Sequence, residues 1–190
     1  MNKNTKDILI YSAIGLGVSA TVLFLFRKRI KQGIDAVKKI YYDLSNEYYI
    51  KELHPAIKND VRTLYNWIVQ NTDWQPISTS GYRSFEKQAA LHEQNSSNAV
   101  AGSSKHNYGF AIDMNLQNTK TGGYLKKSSS KAAWNKSGVP AKAKEMGFRW
   151  GGDFTSYHDP VHFEKSPYTS SQLLALHNSG KVDRNGYVII

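Results

Sequence analysis

The sequence predicts an α+β domain over residues 51–190, preceded by two helical segments. Apolar residues recur at helical spacing between Ile57 and Ile68, whereas the run from Phe110 to Leu116 reads FAIDMNL and alternates like a strand. Short strands interspersed with helices indicate an α+β fold. The content of 40% hydrophobic and 21% charged residues is typical of a globular chain and argues against disorder throughout.

Start and stop signals place the individual elements of this domain. Pro55 suits the first turn of a helix. Ser84 can cap a helix that runs to about Glu93, and Gly147 can end another that begins at Pro140. The other predicted elements are strands at 77–82, 110–116 and 161–164, a last helix from Ser170 or Ser171, and a tight turn at Asn185-Gly186.

The N-terminal segment predicts a single membrane span. Residues from Ile8 to Phe26 carry no charge, and at helical rise they extend about 28 Å, close to the thickness of a bilayer core. A signal peptide is disfavoured, because no small-x-small cleavage site lies between this run and the basic residues after it. We therefore expect a transmembrane anchor over residues 1–27, with a buried core helix as the alternative.

Residues 28–50 combine basic and apolar positions, and the apolar ones, including Ile30, Ile34 and Val37, have helical spacing. We expect a basic stalk helix that leaves the membrane. A basic face lying on anionic lipid is the alternative. Because the basic residues follow the span, the positive-inside rule would place the domain in the cytoplasm.

The whole-chain charge and the lack of cysteine narrow the possible functions. A net charge of +10 implies anionic partners, but the lysines are scattered or close to the span, so no nucleic acid is expected. The chain has no cysteine, which excludes disulfides, thiolate metal ligands and a cysteine nucleophile. Any metal site must use imidazoles and carboxylates.

Two stretches carry the residues suited to chemistry. The first holds His106 and, inside the predicted strand, Asp113; a carboxylate in an apolar strand needs a partner such as a metal ion. The second holds His162, which would complete the two imidazoles and one carboxylate of a catalytic zinc site, and Asp159, a possible general base. From spacing alone, a loop histidine, a salt bridge and a simple turn remain alternatives.

Together these stretches resemble a known family. The pattern Ser-x-His-x-x-Gly-x-Ala-x-Asp runs from Ser104 to Asp113, Asp159-x-x-His162 follows a Trp-Gly-Gly-Asp-Phe run at 150–154, and Gly-Tyr-Arg-Ser occupies 81–84. In this order, over about residues 53–165, the motifs resemble the D-Ala-D-Ala carboxypeptidase/L-alanyl-D-glutamate endopeptidase family of zinc peptidases (peptidase family M15), which includes phage endolysins.

The resemblance implies roles for named residues and a fold. It implies zinc bound by His106, Asp113 and His162, with Asp159 as catalytic acid/base. Arg83 would bind substrate or stabilise the oxyanion, and Ser104 and Tyr108 would support the site or contact substrate. The implied fold is a small antiparallel sheet flanked by helices, hedgehog/DD-peptidase-like, with zinc in an open groove. His158 departs from the pattern, either as a solvated bystander or as a pH-sensitive neighbour of Asp159.

The resemblance also implies a function and a location. We expect a zinc-dependent hydrolase of peptidoglycan stem peptides. The preferred expectation is an L-alanyl-D-glutamate endopeptidase, either an endolysin or a virion-associated lysin. The alternatives are a D-Ala-D-Ala carboxypeptidase and a non-catalytic, membrane-anchored wall-binding protein. With the predicted anchor, the expected location is the bacterial inner membrane or an internal membrane of a phage particle.

Overall fold

The computed structural model describes residues 20–190, and a boundary after Asp43 separates the chain into two compact units. Helix α1 (Ala20–Ile50) contributes to both units. Within the described residues, no helix combines the length and the apolar character that a membrane span requires. Most of the predicted anchor, residues 1–19, lies outside the described residues.

The second unit begins at Leu44, earlier than the predicted domain start at residue 51. The end of α1 is fixed there by Asn46, whose side chain donates to the Pro76 carbonyl at 2.9 Å and accepts from the Ser78 amide at 2.7 Å. Ile50 adds an apolar contact, being 3% exposed in the core. The last turn of the predicted stalk is therefore part of the domain.

The second unit is an α+β domain built on one antiparallel sheet, which confirms the predicted fold class. The strands are β1 (Trp74–Ser80), β2 (Ala111–Asn118), β3 (Tyr124–Leu125), β4 (Arg149–Trp150) and β5 (His162–Glu164). The sheet order is β1-β2-β5-β4, and β3 pairs with the second half of β2, beyond the part of β2 that pairs with β5. The helices are α2 (Pro55–Asn71), α3 (Phe85–Gln94), α4 (Lys131–Lys136), α5 (Val139–Glu145) and α6 (Ser170–Asn178).

Several boundaries differ from the predicted ones. Strand β1 begins at Trp74 and includes Pro76, which is tolerated because β1 lies at the edge of the sheet and proline lacks an amide donor. The last helix is capped by Thr169, one residue before the predicted cap. Helix α4, capped by Ser130, was not predicted, since six residues are too few to show a helical period.

Strand β2 separates the hydrophobic core from the functional face of the sheet. Ile112, Met114 and Leu116 are fully buried in the core cluster that also contains the apolar side chains of α2. Asp113 and Asn115 alternate with them and line a cavity on the other side. The alternation of a strand therefore places a carboxylate next to an open groove while its neighbours stabilise the core.

Candidate metal centre

Three elements bring His106, Asp113 and His162 together. Asp113 on β2 and His162 on β5 are direct partners across the sheet, and His106 lies on a short 3-10 helix at Lys105–Tyr108. Nε2 of His106 is 3.1 Å from Oδ1 of Asp113 and 3.2 Å from Nδ1 of His162. Nδ1 of His162 is 3.0 Å from the same Oδ1. Two imidazole nitrogens and one carboxylate oxygen thus form a small triangle.

This triangle fits a tetrahedral metal ion. With metal–ligand bonds of about 2.0–2.1 Å, the ligand atoms of a tetrahedral site stand about 3.3–3.4 Å apart. The three observed separations between these ligand atoms, 3.0, 3.1 and 3.2 Å, are close to that value. Two nitrogens and one oxygen also match the ligand types of catalytic zinc sites, in which the fourth position is open.

Hydrogen bonds to the outer nitrogens fix both imidazole rings. Nδ1 of His106 lies 2.6 Å from the Gly81 carbonyl, to which it can only donate. Nε2 of His162 lies 3.1 Å from Oε2 of Glu164, a buried carboxylate. A ring nitrogen that donates outward leaves the other nitrogen with a lone pair facing the triangle, the usual arrangement of histidine ligands.

Glu164 was missed by the sequence analysis. It follows His162 by two residues on β5, so both side chains lie on one face of the strand. Its other oxygen, Oε1, accepts from Nη1 of Arg149 at 2.7 Å. The sequence does show Glu164 two residues after His162 in a predicted strand. That spacing alone does not distinguish a contact with a metal-facing histidine from an ordinary surface ion pair.

Arg83 lies against the metal-facing carboxylate. Its Nη2 donates to Oδ2 of Asp113 at 2.7 Å, while Nε and Nη1 donate to Ser80 and Gln88 at 2.8 and 3.0 Å. These contacts hold Asp113 so that Oδ1 alone faces the two imidazoles. Arg83 lines the same cavity, so the structure adds an orienting contact to the role in substrate binding predicted for it.

Electrostatics favour an ionised Asp113. Burial alone would raise the pKa of this carboxyl, but the charges and hydrogen bonds of His106 and His162 hold the pKa well below its usual range. Burial lowers the pKa of His106, although the carboxylate of Asp113 acts in the opposite direction. Burial also acts to lower the pKa of His162, but the hydrogen bonds that the ring donates to the carboxylates of Asp113 and Glu164 outweigh it and raise the pKa to about 9.

Asp159 lines the same cavity, of about 750 Å³, as the three metal-facing side chains. Its Oδ1 is buried and accepts no hydrogen bond from the described residues; the Lys127 ammonium is 3.6 Å away, beyond hydrogen-bond distance. A buried carboxylate oxygen without a donor is costly for folding alone. The oxygen is therefore available to a proton or a polar group within the cavity.

Two motif glycines are required by close backbone approach. A Cβ on Gly151 would lie 2.3 Å from the Asp159 carbonyl, and the Gly151 carbonyl accepts from the Asp159 amide at 3.1 Å. Gly109 has a φ of 71°, and a Cβ there would lie 2.6 Å from the His54 amide nitrogen. These glycines place the Asp159 loop and the His106 helix.

The remaining predicted residues lie in different surroundings. Ser104 lines the cavity, and its Oγ accepts from the His106 amide at 3.3 Å. Tyr108 is buried, its hydroxyl donates to the Gly102 carbonyl at 2.7 Å, and it does not line the cavity. Its predicted contact with substrate is thus corrected to a supporting contact. His158 is exposed at the cavity rim, 3.3 Å from the Ser129 carbonyl.

A second cavity, of about 810 Å³, adjoins the first. His162, Ser104 and Tyr157 line both cavities, so the two cavities meet at His162, one member of the metal-facing triangle. Tyr157 was not among the predicted site residues. A groove open on both sides of the triangle suits an extended chain such as a peptide.

Comparisons with known proteins agree with the motifs. A family described as D-alanyl-D-alanine carboxypeptidase matches residues 97–165. The peptidoglycan L-alanyl-D-glutamate endopeptidase CwlK of Bacillus subtilis (strain 168) is 34% identical over 129 residues, covering 61% of this chain and 75% of the relative.

Two solved structures are also similar. The L-Ala D-Glu endopeptidase ChiX of Serratia marcescens is 21% identical with a TM-score of 0.48, over 64% of this chain and 86% of that one. The vancomycin resistance D,D-pentapeptidase VanY, in complex with Zn(II), is 18% identical with a TM-score of 0.45, over 65% of this chain and 78% of that one.

Proposed function

This chain belongs to the D-Ala-D-Ala carboxypeptidase/L-alanyl-D-glutamate endopeptidase family of zinc peptidases, and on that premise we propose that it cuts the L-alanyl-D-glutamate bond of peptidoglycan stem peptides. The observation that carries the proposal is the convergence of His106, Asp113 and His162 beside Asp159 in one groove. The relative at 34% identity, an L-alanyl-D-glutamate endopeptidase, supports the choice of bond.

His106, Asp113 and His162 would hold the zinc ion, through Nε2, Oδ1 and Nδ1 respectively. When bound in such a site, zinc polarises the scissile carbonyl and lowers the pKa of water towards neutrality. Glu164 and the Gly81 carbonyl keep the two rings in the tautomers that binding requires. Arg83 donates to Oδ2 of Asp113 and so keeps Oδ1 turned towards the ion.

Asp159 would move the proton. Its buried oxygen, which accepts no hydrogen bond from the described residues, can accept a proton from the attacking water and return it to the leaving amine. Arg83 lines the cavity, and its guanidinium charge would stabilise the negative charge that develops there on the carbonyl oxygen.

A D-Ala-D-Ala carboxypeptidase is the second candidate, because the family that matches residues 97–165 carries that description. Mass spectrometry of peptidoglycan digested by the purified protein separates the two. New N-terminal glutamate on the stem supports the endopeptidase, and loss of a single terminal D-alanine supports the carboxypeptidase. Digestion in parallel by the Asp159→Asn variant controls for contaminating hydrolases, and a digest without either product would refute both candidates.

We also propose that residues 1–27 anchor the enzyme in a membrane. The support is the uncharged run from Ile8 to Phe26, followed by the basic part of α1. The proposed locations are the bacterial inner membrane and an internal membrane of a phage particle, the second being consistent with an enzyme that acts during phage entry. Cell fractionation alongside proteomics of purified virions tests them, and recovery of the full chain without membrane would contradict the anchor.

A further inference from the structure

The second cavity contains an excess of positive charge close to the metal centre. Of the charged residues that line it, Lys165 and Asp153 form ion pairs with residues outside the cavity. Apart from the metal-facing His162, the others are Lys105, Arg149 and Glu164. Two cations therefore share one carboxylate, and an anion in the cavity would complete the balance of charge.

Lys105 is the less ordinary of the two cations because it is buried. The residue is only 7% exposed, and its ammonium donates to a neutral group, the Tyr168 carbonyl. Within residues 20–190, no carboxylate lies at ion-pair distance from this ammonium. Burial of a charge without an opposite charge is unfavourable, and such groups in cavity walls commonly bind ligands. Lys105 lines the same cavity as the metal-facing His162.

Arg149 presents a guanidinium that is already held in place. Nη1 donates to Oε1 of Glu164 at 2.7 Å, and the guanidinium carbon lies 5.3 Å from the ring centre of Phe154. The side chain is nevertheless 72% exposed, so its other edge faces solvent in the cavity. A planar fork fixed on one edge can bind a carboxylate with its other edge at little cost in conformational entropy.

We propose that the second cavity is a subsite for a carboxylate of an acidic peptide substrate, bound by the ammonium of Lys105 and the guanidinium of Arg149. The inference rests on the proposed function and extends it, since it states which part of the substrate is recognised. Two groups of a stem peptide offer this chemistry: the glutamyl carboxylate that is not used in the bond to the next residue of the stem, and the carboxylate at the C-terminus of the stem.

Three synthetic stem peptides distinguish these sources: one with both carboxylates free, one amidated at the glutamyl carboxylate and one amidated at the C-terminus. Each is cleaved by the zinc-loaded, full-length protein and by the variants Lys105→Met and Arg149→Gln. Arg184→Gln, a change at an exposed arginine remote from both cavities, is the matched control. Bound zinc is measured in every preparation, because Arg149 also contacts Glu164.

We expect the unmodified protein to prefer the free peptide by roughly 10- to 100-fold in kcat/KM over one amidated peptide, as expected for a lost charge-assisted hydrogen bond. The amidated peptide that is cleaved poorly identifies the bound carboxylate. In both variants, KM for the free peptide should rise to the value that the unmodified protein has for this amidated peptide, with kcat and zinc content unchanged. Arg184→Gln should keep the preference.

A preference that survives in both variants, or equal cleavage of all three peptides by the unmodified protein, would overturn the subsite while leaving the proposed function intact. Failure to cleave any of the three would instead refute the proposed function, and the subsite with it. If circular dichroism shows that Lys105→Met does not fold, the exposed Arg149→Gln decides the outcome alone.

Discussion

Glu164 accepts a hydrogen bond from Nε2 of His162 at 3.1 Å, on the side of the ring opposite Asp113. The contact orients the ring and increases the basicity of Nδ1. We therefore predict that Glu164→Gln, which keeps an acceptor but removes the charge, lowers zinc affinity by about 10- to 100-fold. Competition with a chromogenic chelator measures the affinity. Glu145→Gln, a change at an exposed glutamate, is the control, and equal affinities in the two variants would contradict the role of Glu164.

Removal of a ligand should abolish metal binding. We predict that Asp113→Asn and His162→Ala retain less than one zinc ion per ten chains after dialysis and have no measurable activity, because each leaves only two ligands. His158→Ala removes an exposed imidazole from the rim of the same cavity and should retain one ion per chain. Elemental analysis of the purified proteins gives the stoichiometry. Full metal content in Asp113→Asn would exclude this aspartate as a ligand.

Asp159 should be needed for turnover but not for metal binding. We predict that Asp159→Asn lowers kcat by about 100-fold or more, the usual effect of losing general acid–base catalysis, with zinc content unchanged. The change should also leave the free energy of unfolding unchanged or raised, because the buried carboxylate oxygen accepts no hydrogen bond from the described residues. Asp73→Asn, at an exposed ion pair with Lys120, is the control. Near-normal kcat in the Asp159 variant would mean that another group moves the proton.

The sequence was informative where residue type and short spacing decide the structure. Asp113 could be assigned to a strand and to the functional face because the alternation around it is local, and the structure brings it together with His106 and His162. The α+β class was predicted from the same kind of local pattern, namely apolar residues at helical spacing in some segments and alternating in others. These features require no knowledge of which distant segments meet.

Long-range packing decided what the sequence did not reveal. Tyr108 belongs to a motif, but its ring packs against Phe85 and its hydroxyl is used by a backbone carbonyl. The importance of Glu164 depends on the ring orientation of His162, which only the folded strands determine. The Lys105 ammonium donates to the carbonyl of Tyr168, a residue 63 positions away along the chain.

The pKa of His162 predicts how the metal-free protein responds to pH. This pKa is about 9 in the folded protein, above the usual 6.5, so the protonated ring stabilises the fold. The stabilisation is complete below pH 6.5 and is lost as the pH rises to about 9, an effect on the order of 3 kcal/mol. The lowered pKa of His106 acts only below pH 6.5, outside this range. Urea unfolding of the chelator-treated protein at pH 6.5 and 9 measures the difference.

Glu164→Gln serves as the control for this pH effect. It removes one of the two carboxylates that raise the pKa of His162, so its decline in stability should be smaller and should occur at lower pH. A metal-free protein that becomes more stable between pH 6.5 and 9 would show that His162 is neutral throughout. With zinc bound, the decline should disappear, because the ion replaces the proton on Nδ1.

The last turn of α1 should contribute to the stability of the domain. Asn46 is 5% exposed and makes hydrogen bonds to the Pro76 carbonyl and the Ser78 amide. We predict that Asn46→Ala lowers the free energy of unfolding by about 1–3 kcal/mol, because it removes the partner of the buried Ser78 amide and one of the two donors to the Pro76 carbonyl, the other being Gln75. Gln32→Ala, at an exposed position of the same helix, should change it by less than about 0.5 kcal/mol. Urea unfolding of the full chain measures both, and equal stabilities would place the start of the domain after residue 50, as the sequence predicts.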